Sequence, residues 1–198
     1  MRQHTSVGIL LAAGVGKRFD PTGVRNKLVE LLDSGAPVAV QAAQNLRNVL
    51  SDVIAVVRSS ELAEQFTQLG CRPLIFANAE QGMGASLAYA MSVADELGAD
   101  SVLVALADMP YLRSGTIQQI VDALSSGADI VQPVFQDQAG HPVGFSKRHF
   151  SALRALTGET GARHLLREFS VMQISVDDPG VVQDIDYLTD LRGQHSQT

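Results

Sequence analysis

The chain has 198 residues, of which 45% are hydrophobic and 18% charged, with a formal net charge of −6 at pH 7 and a pI near 5.3. This is globular composition without the ~20-residue apolar run of a membrane-spanning helix, and its overall field repels nucleic acid and anionic lipid rather than gathering them. The lone Cys71 excludes an intrachain disulfide framework, a paired-cysteine zinc site and iron–sulfur ligation within one chain, so a reducing cytoplasm is the expected location.

In chain order, SVGILLAA reads as a strand, VAVQAAQNLRNVL as a helix, DVIAVV as a strand, ELAEQFTQLG as a helix, RPLIFA as a strand, GASLAYAMSVADELG as a helix and SVLVALA as a strand. A signal peptide is the competing reading of the start, because Arg2 precedes the apolar stretch Val7 to Ala13, but that stretch is short and runs into Gly-Lys-Arg. Strands joined by helices of this length pair in parallel, and continuously apolar strands imply cover on both faces. The expectation is therefore an α/β, three-layer, Rossmann-like fold with a mostly parallel sheet. Gly70 and Gly98 stand where helix C-caps belong. Helix SGTIQQIVDALSSG and strand ADIVQPVF continue the rhythm, after which GHPVGFSKRHF, GETGARHLLREF and DDPGVVQDIDYLTDL read as loop-rich. No linker or repeat divides the chain. One domain over residues 1–198 is expected, with a nucleotide-binding part at about 6–110, a part for a second substrate at about 111–192, and a frayed tail GQHSQT.

The loop after the first strand fits neither common phosphate motif. A P-loop needs glycine at position 11, which is Leu, and a hydroxyl residue after Gly16-Lys17, where Arg18 stands; the dinucleotide fingerprint needs glycine at position 19, which is Phe. What remains is physical. Gly14 and Gly16 let backbone N–H groups approach an anion, and Lys17, Arg18, Arg25 and Lys27 put four of the fifteen basic residues where an even spread would put about one. The segment reads as a polyanion clamp, against the alternative of a solvated basic loop.

In SVLVALADMP, Asp108 follows six apolar residues and Pro110 ends the ladder, so the acid should emerge at the strand's C-terminal edge, where ligands of open α/β sheets bind. A carboxylate beside phosphates calls for a hard cation between them, and oxygen ligands point to Mg²⁺; the competing reading is an Asp that forms its own turn. In VVQDIDYLTDL, Asp184 and Asp186 alternate and so point to one side of an extended chain. Either could be a second metal ligand, and Asp186 could equally be the N-cap of the following helical pattern.

The LAAG-x-G-x-R-F loop with its following lysine, the G-M-G-A-S-L helix start, A-D-M-P, G-H-P, G-x-x-G-A-R and the terminal D-I-D occur in order over residues 7–191. The ordered set resembles the MobA-like nucleotidyltransferases, and within them the branch that makes the cytosine form of the molybdenum cofactor. The resemblance implies a Mg²⁺-dependent enzyme, with Mn²⁺ as an alternative, that transfers CMP from CTP to the phosphate of Mo-molybdopterin and releases pyrophosphate. It implies CTP and molybdopterin as small-molecule partners, transient contact with a molybdoenzyme or its chaperone, and no nucleic-acid or membrane partner. Related guanylyltransferases usually open with LAGG, whereas Leu11-Ala12-Ala13-Gly14 leans toward CTP.

Carried over by position, Leu11, Ala12, Ala13, Gly14, Gly16 and Arg58 join the nucleotide contacts, with Ala12 to Gly14 against base and ribose. Arg18 and Lys27 hold phosphates and, with Asp108, form the catalytic set. Gly82, Gly84 and Ser86 close around the cytidine. Asp108 is the principal metal ligand and Asp186 a second. His141, Gly161 and Arg163 face the pterin, with Gly161 to Arg163 opening a helix ARHLLRE as an anion site; for His141 a plain turn histidine is the alternative. His4, His149, His164 and His195 have no metal-ligand spacing. The chain departs from the family pattern in a longer loop, PTGVRN, before Lys27, and in Asp186-Tyr187-Leu188 where D-x-D-T-P is usual. The implied chemistry is in-line attack of a phosphate oxygen on the α-phosphorus of CTP, with no protein nucleophile. Guanylyl transfer to molybdopterin, nucleotidyl transfer to a sugar phosphate, and a non-catalytic nucleotide sensor or cofactor carrier are the rivals.

Overall fold

The computed structural model describes residues 4–14, 19–20, 25–77 and 81–192. The apolar runs form the strands β1 (Ser6–Ala12), β2 (Asp52–Val57), β3 (Arg72–Ile75) and β4 (Ser101–Leu106), and the helical-period segments form α1 (Val38–Arg47), α2 (Ser60–Gln68) and α3 (Met83–Glu96). These strands pair in parallel, β3 on β2, β2 on β1 and β1 on β4. Gly70 and Gly98 follow the C-caps of α2 and α3 with positive φ, 74° and 68°, as left-handed C-terminal caps require.

Beyond α4 (Ser114–Ser125) and β5 (Ile130–Phe135), the stretch that reads as loop supplies three further strands: β6 (Gln138–Ala139), β7 (Val143–Ser146) and β8 (Met172–Ser175). The sheet order is β3-β2-β1-β4-β7-β5-β6, with β8 also on β5. β7 is wedged antiparallel between β4 and β5. Four residues are too short to show a period, and Gly144 within them carries no side chain because Ile120 and Leu124 would lie 2.8 and 2.7 Å from a Cβ there. The short helices α5 (Phe150–Arg154) and α6 (Leu165–Glu168) complete the main elements.

Strand residues alternate between two cores. Leu10, Ala12, Ala55, Val57 and Leu103 face α1, α2 and α4, whereas Ile9, Leu11, Ala13, Ile54 and Val104 face α3, α5 and α6. Among the described residues no helix is long and apolar enough to cross a membrane.

The C-terminal segment is laid across one end of this sandwich by Asp178, which is 2% exposed. Its carboxylate accepts hydrogen bonds from Arg113 N (2.9 Å), Thr116 Oγ1 (2.7 Å) and Gly180 N (3.0 Å), joining the start of α4 to the turn at 178–181. The backbones then pack so closely that a Cβ on Gly180 would lie 2.2 Å from Tyr111 O, and one on Gly140 would lie 2.3 Å from Val181 O. Replacing Asp178 by Ala strands three donors in a dry environment, and is expected to cost about 3 kcal/mol, measured as a lowered midpoint in urea unfolding.

Candidate active site

β1 and β4 lie side by side, with β2 on the far side of β1 and β7 on the far side of β4, so the chain's connections diverge between them; in such sheets the ligand crevice opens beyond the carboxyl ends of the strands at this point. Leu11 pairs with Leu106, and Ala107 N donates to Leu11 O at 3.1 Å, which carries Gly14 and Asp108 out over the same edge. Gly14 and Asp108 line one cavity of about 170 Å³ with Leu11, Ala13, Lys27, Leu28, Gly82, Met83, Ser86 and Leu106.

Lys27 enters from a short 3₁₀ turn, Lys27–Val29, whose N-cap Asn26 accepts from Leu28 N at 3.1 Å. Leu28 is buried in the core and anchors the turn, and the lysine itself is only 9% exposed. Its ammonium donates to Asp108 Oδ2 at 2.7 Å and to Asp186 Oδ1 at 3.3 Å. Asp186 is delivered by the C-terminal segment: Ile185 N donates to Asp108 O at 2.8 Å, and the Ile185 side chain is fully buried beside Phe19, Leu32 and Val38. Tyr187 stands at the N-cap position of the 188–191 turn, and it is the Asp190 carboxylate that accepts from Asp186 N (3.0 Å) and Tyr187 N (2.7 Å). Asp186 is therefore not the cap, and its side chain is turned to Lys27. Asp184 points to the same side, where partial burial, then the charges of Asp186 and Asp108, raise its pKa above the usual carboxylate value.

His141 reaches this edge because β7 is reversed. Val143 pairs with Val104 near the end of β4, so the residues before β7 arrive where the parallel strands finish. His141 N donates to Val181 O at 2.8 Å, and the His141–Pro142 peptide is cis. Its Nδ1 is buried with no partner among the described residues. Burial lowers its pKa; a hydrogen bond to the Val104 backbone and the charges of Asp108 and Asp184 oppose this, and Arg163 reinforces it.

The donor set suits a hard divalent cation. The carboxylate oxygens of Asp108 and Asp186 already converge on one cation, the Lys27 ammonium, and among the described residues no group of three ligating side chains forms. Mg²⁺ is characteristically held this way, by one or two carboxylates with its remaining positions filled by phosphate oxygens and water.

Residues 8–174 match the model of the MobA-like NTP transferase domain. The chain belongs to this family. It is 27% identical over 198 residues to the purine catabolism protein PucB of Bacillus subtilis (strain 168), covering 94% of each chain. Among solved structures it is similar to Rv0371c of Mycobacterium tuberculosis H37Rv, with a TM-score of 0.80, 23% identity and 96% of each chain covered. A manganese complex of Rv0371c gives a TM-score of 0.73, 21% identity and coverage of 94% of this chain and 95% of that one. Molybdopterin-guanine dinucleotide biosynthesis protein A of Archaeoglobus fulgidus gives 0.67 and 18%, covering 93% and 94%. The chain is thus a nucleotidyltransferase of the MobA-like family, with the α/β fold and largely parallel sheet expected from its sequence.

Of the residues this family resemblance singles out, Leu11, Ala13, Gly14, Lys27, Gly82, Ser86 and Asp108 share the cavity. Asp186 joins through Lys27. Gly16 and Arg18, with Lys17, lie outside the described residues. Ala12 turns its methyl into the opposite core, and Gly84 is a packing glycine, because a Cβ there would lie 2.9 Å from the carbonyl oxygens of Thr157 and Gly158. Arg58 is exposed just after β2. Arg25 is occupied elsewhere, donating to Glu30 from Nε at 2.8 Å and lying over Phe19.

The helix expected from Gly161 onward is present: after a kink at Gly161 (φ 45°, ψ −157°), residues 162–164 form a 3₁₀ turn that runs straight into α6. Gly161 packs on Met83, and exposed Arg163 acts on His141 by charge. Met83, inside the Gly82–Ser86 stretch, lines the cavity, as do Leu28 and Leu106, which were not singled out by sequence. The signal for Leu28 is an apolar residue directly after the lysine. Because its folded pKa lies below the ordinary value of about 6.5, His141 contributes stability that is full above that pH and is lost as pH falls through the folded value. An NMR titration is expected to find its midpoint below 6.5, and His141→Gln is expected to reduce the stability lost between pH 7.5 and 5.5.

Proposed function

We propose that the protein transfers CMP from CTP to the phosphate of Mo-molybdopterin, giving the cytosine dinucleotide cofactor and pyrophosphate. The observation that carries this reading is the convergence of Lys27, Asp108 and Asp186 at the mouth of a cavity that also holds Gly14 and the start of α3. A nucleotide in that cavity meets Leu11 and Ala13 on one wall and Met83 on another, with its phosphates toward Gly14 and Lys27. The Ala13 methyl fits the LAAG opening that leans toward cytidine.

An oxygen of the acceptor phosphate attacks the α-phosphorus in line, the bond to the bridging oxygen of the β-phosphate breaks, and pyrophosphate leaves with that electron pair. The acceptor is a phosphate monoester, largely ionised at neutral pH, so no protein base is needed. Asp108 and Asp186 would hold Mg²⁺, or Mn²⁺, and the ion when bound supplies charge neutralisation at the reacting phosphate. Lys27 adds a cation there, and the apolar side chains of Leu28 and Leu106 beside it strengthen both effects by limiting water. His141, with one unpartnered ring nitrogen, and exposed Arg163 lie on the side where the pterin would enter. The nucleotide half is assigned to about 6–110 and the acceptor half to about 111–192, within one domain in a cytoplasmic enzyme. The product would pass to a molybdoenzyme or its chaperone.

Three measurements test the proposal. With purified molybdenum cofactor and each of four NTPs, pyrophosphate release is expected with CTP; release with GTP assigns guanylyl transfer, and tight nucleotide binding without release assigns a carrier. CTP with Mg²⁺ is expected to raise Tm more than GTP does. Asp108→Ala is expected to lower turnover by at least about 10³-fold while the fold survives, as checked by circular dichroism. Near-normal turnover in that variant would refute the assignment.

A further inference from the structure

We infer that Lys27 is a resident counter-cation that must leave Asp108 and Asp186 before a metal ion can bind, so that metal and nucleotide are admitted together. The inference rests on the metal-assisted reading above and concerns the order in which that site fills.

The ammonium lies 2.7 Å from Asp108 and 3.3 Å from Asp186, on a side chain only 10% exposed. A Mg²⁺ ion bonded to the same Asp108 oxygen at about 2.1 Å lies within about 5 Å of the present Nζ position, and two cations so close in a partly dry site repel strongly. The carboxylates cannot serve both at full strength. Only the side chain needs to move, because the backbone of Lys27 is fixed by the Asn26 cap and by buried Leu28. Lys27 also lines the cavity beside Gly14, so its flexible stem can carry the charge to a triphosphate there. A polyanion gives the ammonium a new partner and frees two oxygens for the metal.

By linkage, nucleotide then raises metal affinity, metal raises nucleotide affinity by the same factor, and much of that coupling resides in one side chain. Without nucleotide, Lys27 offsets one of the two carboxylate charges and occupies an oxygen of each, which weakens binding of metal alone.

The test uses Mn²⁺ as the probe, with bound and free ion separated by electron paramagnetic resonance in the full-length protein. Wild type is expected to bind Mn²⁺ weakly alone and much more tightly with a non-hydrolysable methylene analogue of CTP. Lys27→Met keeps the stem and removes the charge. It is expected to bind Mn²⁺ alone at least about tenfold more tightly than wild type, to show correspondingly less tightening by the analogue, and to gain Tm with Mn²⁺ where wild type does not. Lys27→Gln serves the same purpose if the Met variant does not melt cooperatively. Equal Mn²⁺ affinity of wild type and a folded Lys27 variant overturns the inference, while binding that still requires the analogue and is lost in Asp108→Asn leaves the metal reading standing. No protein-bound Mn²⁺ in wild type, even with the analogue, overturns both.

Discussion

The ion triad of Lys27, Asp108 and Asp186 is the constraint on which the site depends. It joins residues 81 and 159 positions apart in the chain, one on the loop after the first strand, one on the end of a central strand and one on the C-terminal segment. Half-buried ion pairs contribute little net stability once desolvation is counted, yet removing one partner leaves charge stranded. The triad therefore acts mainly as a register mark. It fixes how far each of the three segments extends over the sheet edge, and the backbone bond from Ile185 to Asp108 holds the same alignment.

Around that mark the molecule divides by strand direction. The parallel strands β3, β2, β1 and β4 deliver their loops to the edge as they end, which suits backbone N–H groups and a carboxylate aimed outward. The other half reaches the edge by two different routes. β7 starts there because it runs backwards, and the segment after Asp178 passes over it as extended chain pinned at both ends, by Asp178 to Thr116 and by Tyr111 Oη to the carbonyls of Asp190 and Leu191. Two different supports thus meet at the site, one a rigid ladder and the other a strap held by side-chain hydrogen bonds.

How much of this was legible in the sequence follows from how each element makes its signal. β1, β2 and β4 are buried on both faces and read as unbroken apolar runs, so their extents, and the emergence of Asp108 beyond β4, followed from hydrophobicity alone. β7 carries a glycine, spans four residues and follows a proline, and nothing local marks it as a central strand; of its two partner strands, β4 lies 39 to 45 residues away. The alternation of Asp184 and Asp186 was visible, but which of them meets Lys27 was not, because that depends on Asp190 taking over the cap. The basic cluster was read as one clamp, yet Arg25 is committed to Glu30, a choice made by side-chain geometry that charge counting cannot see. ARHLLRE has helical composition and is helical throughout, but the kink at Gly161 that sets its direction leaves no mark beyond a glycine.

The reversal of β7 has a consequence for how such a scaffold can diversify. Residues 136–142 are held, among the described residues, by the two β6 pairs with β5, the bond from Gly140 to Pro133 and the bond from His141 to Val181, which leaves the turn at Gln136–Asp137 as the tip. An insertion at that turn is absorbed outside the central hydrogen-bonding network, leaving the neighbouring β1–β4 rim untouched. The loop beside the site can thereby change length while the strand ends that carry Gly14 and Asp108 stay where they were.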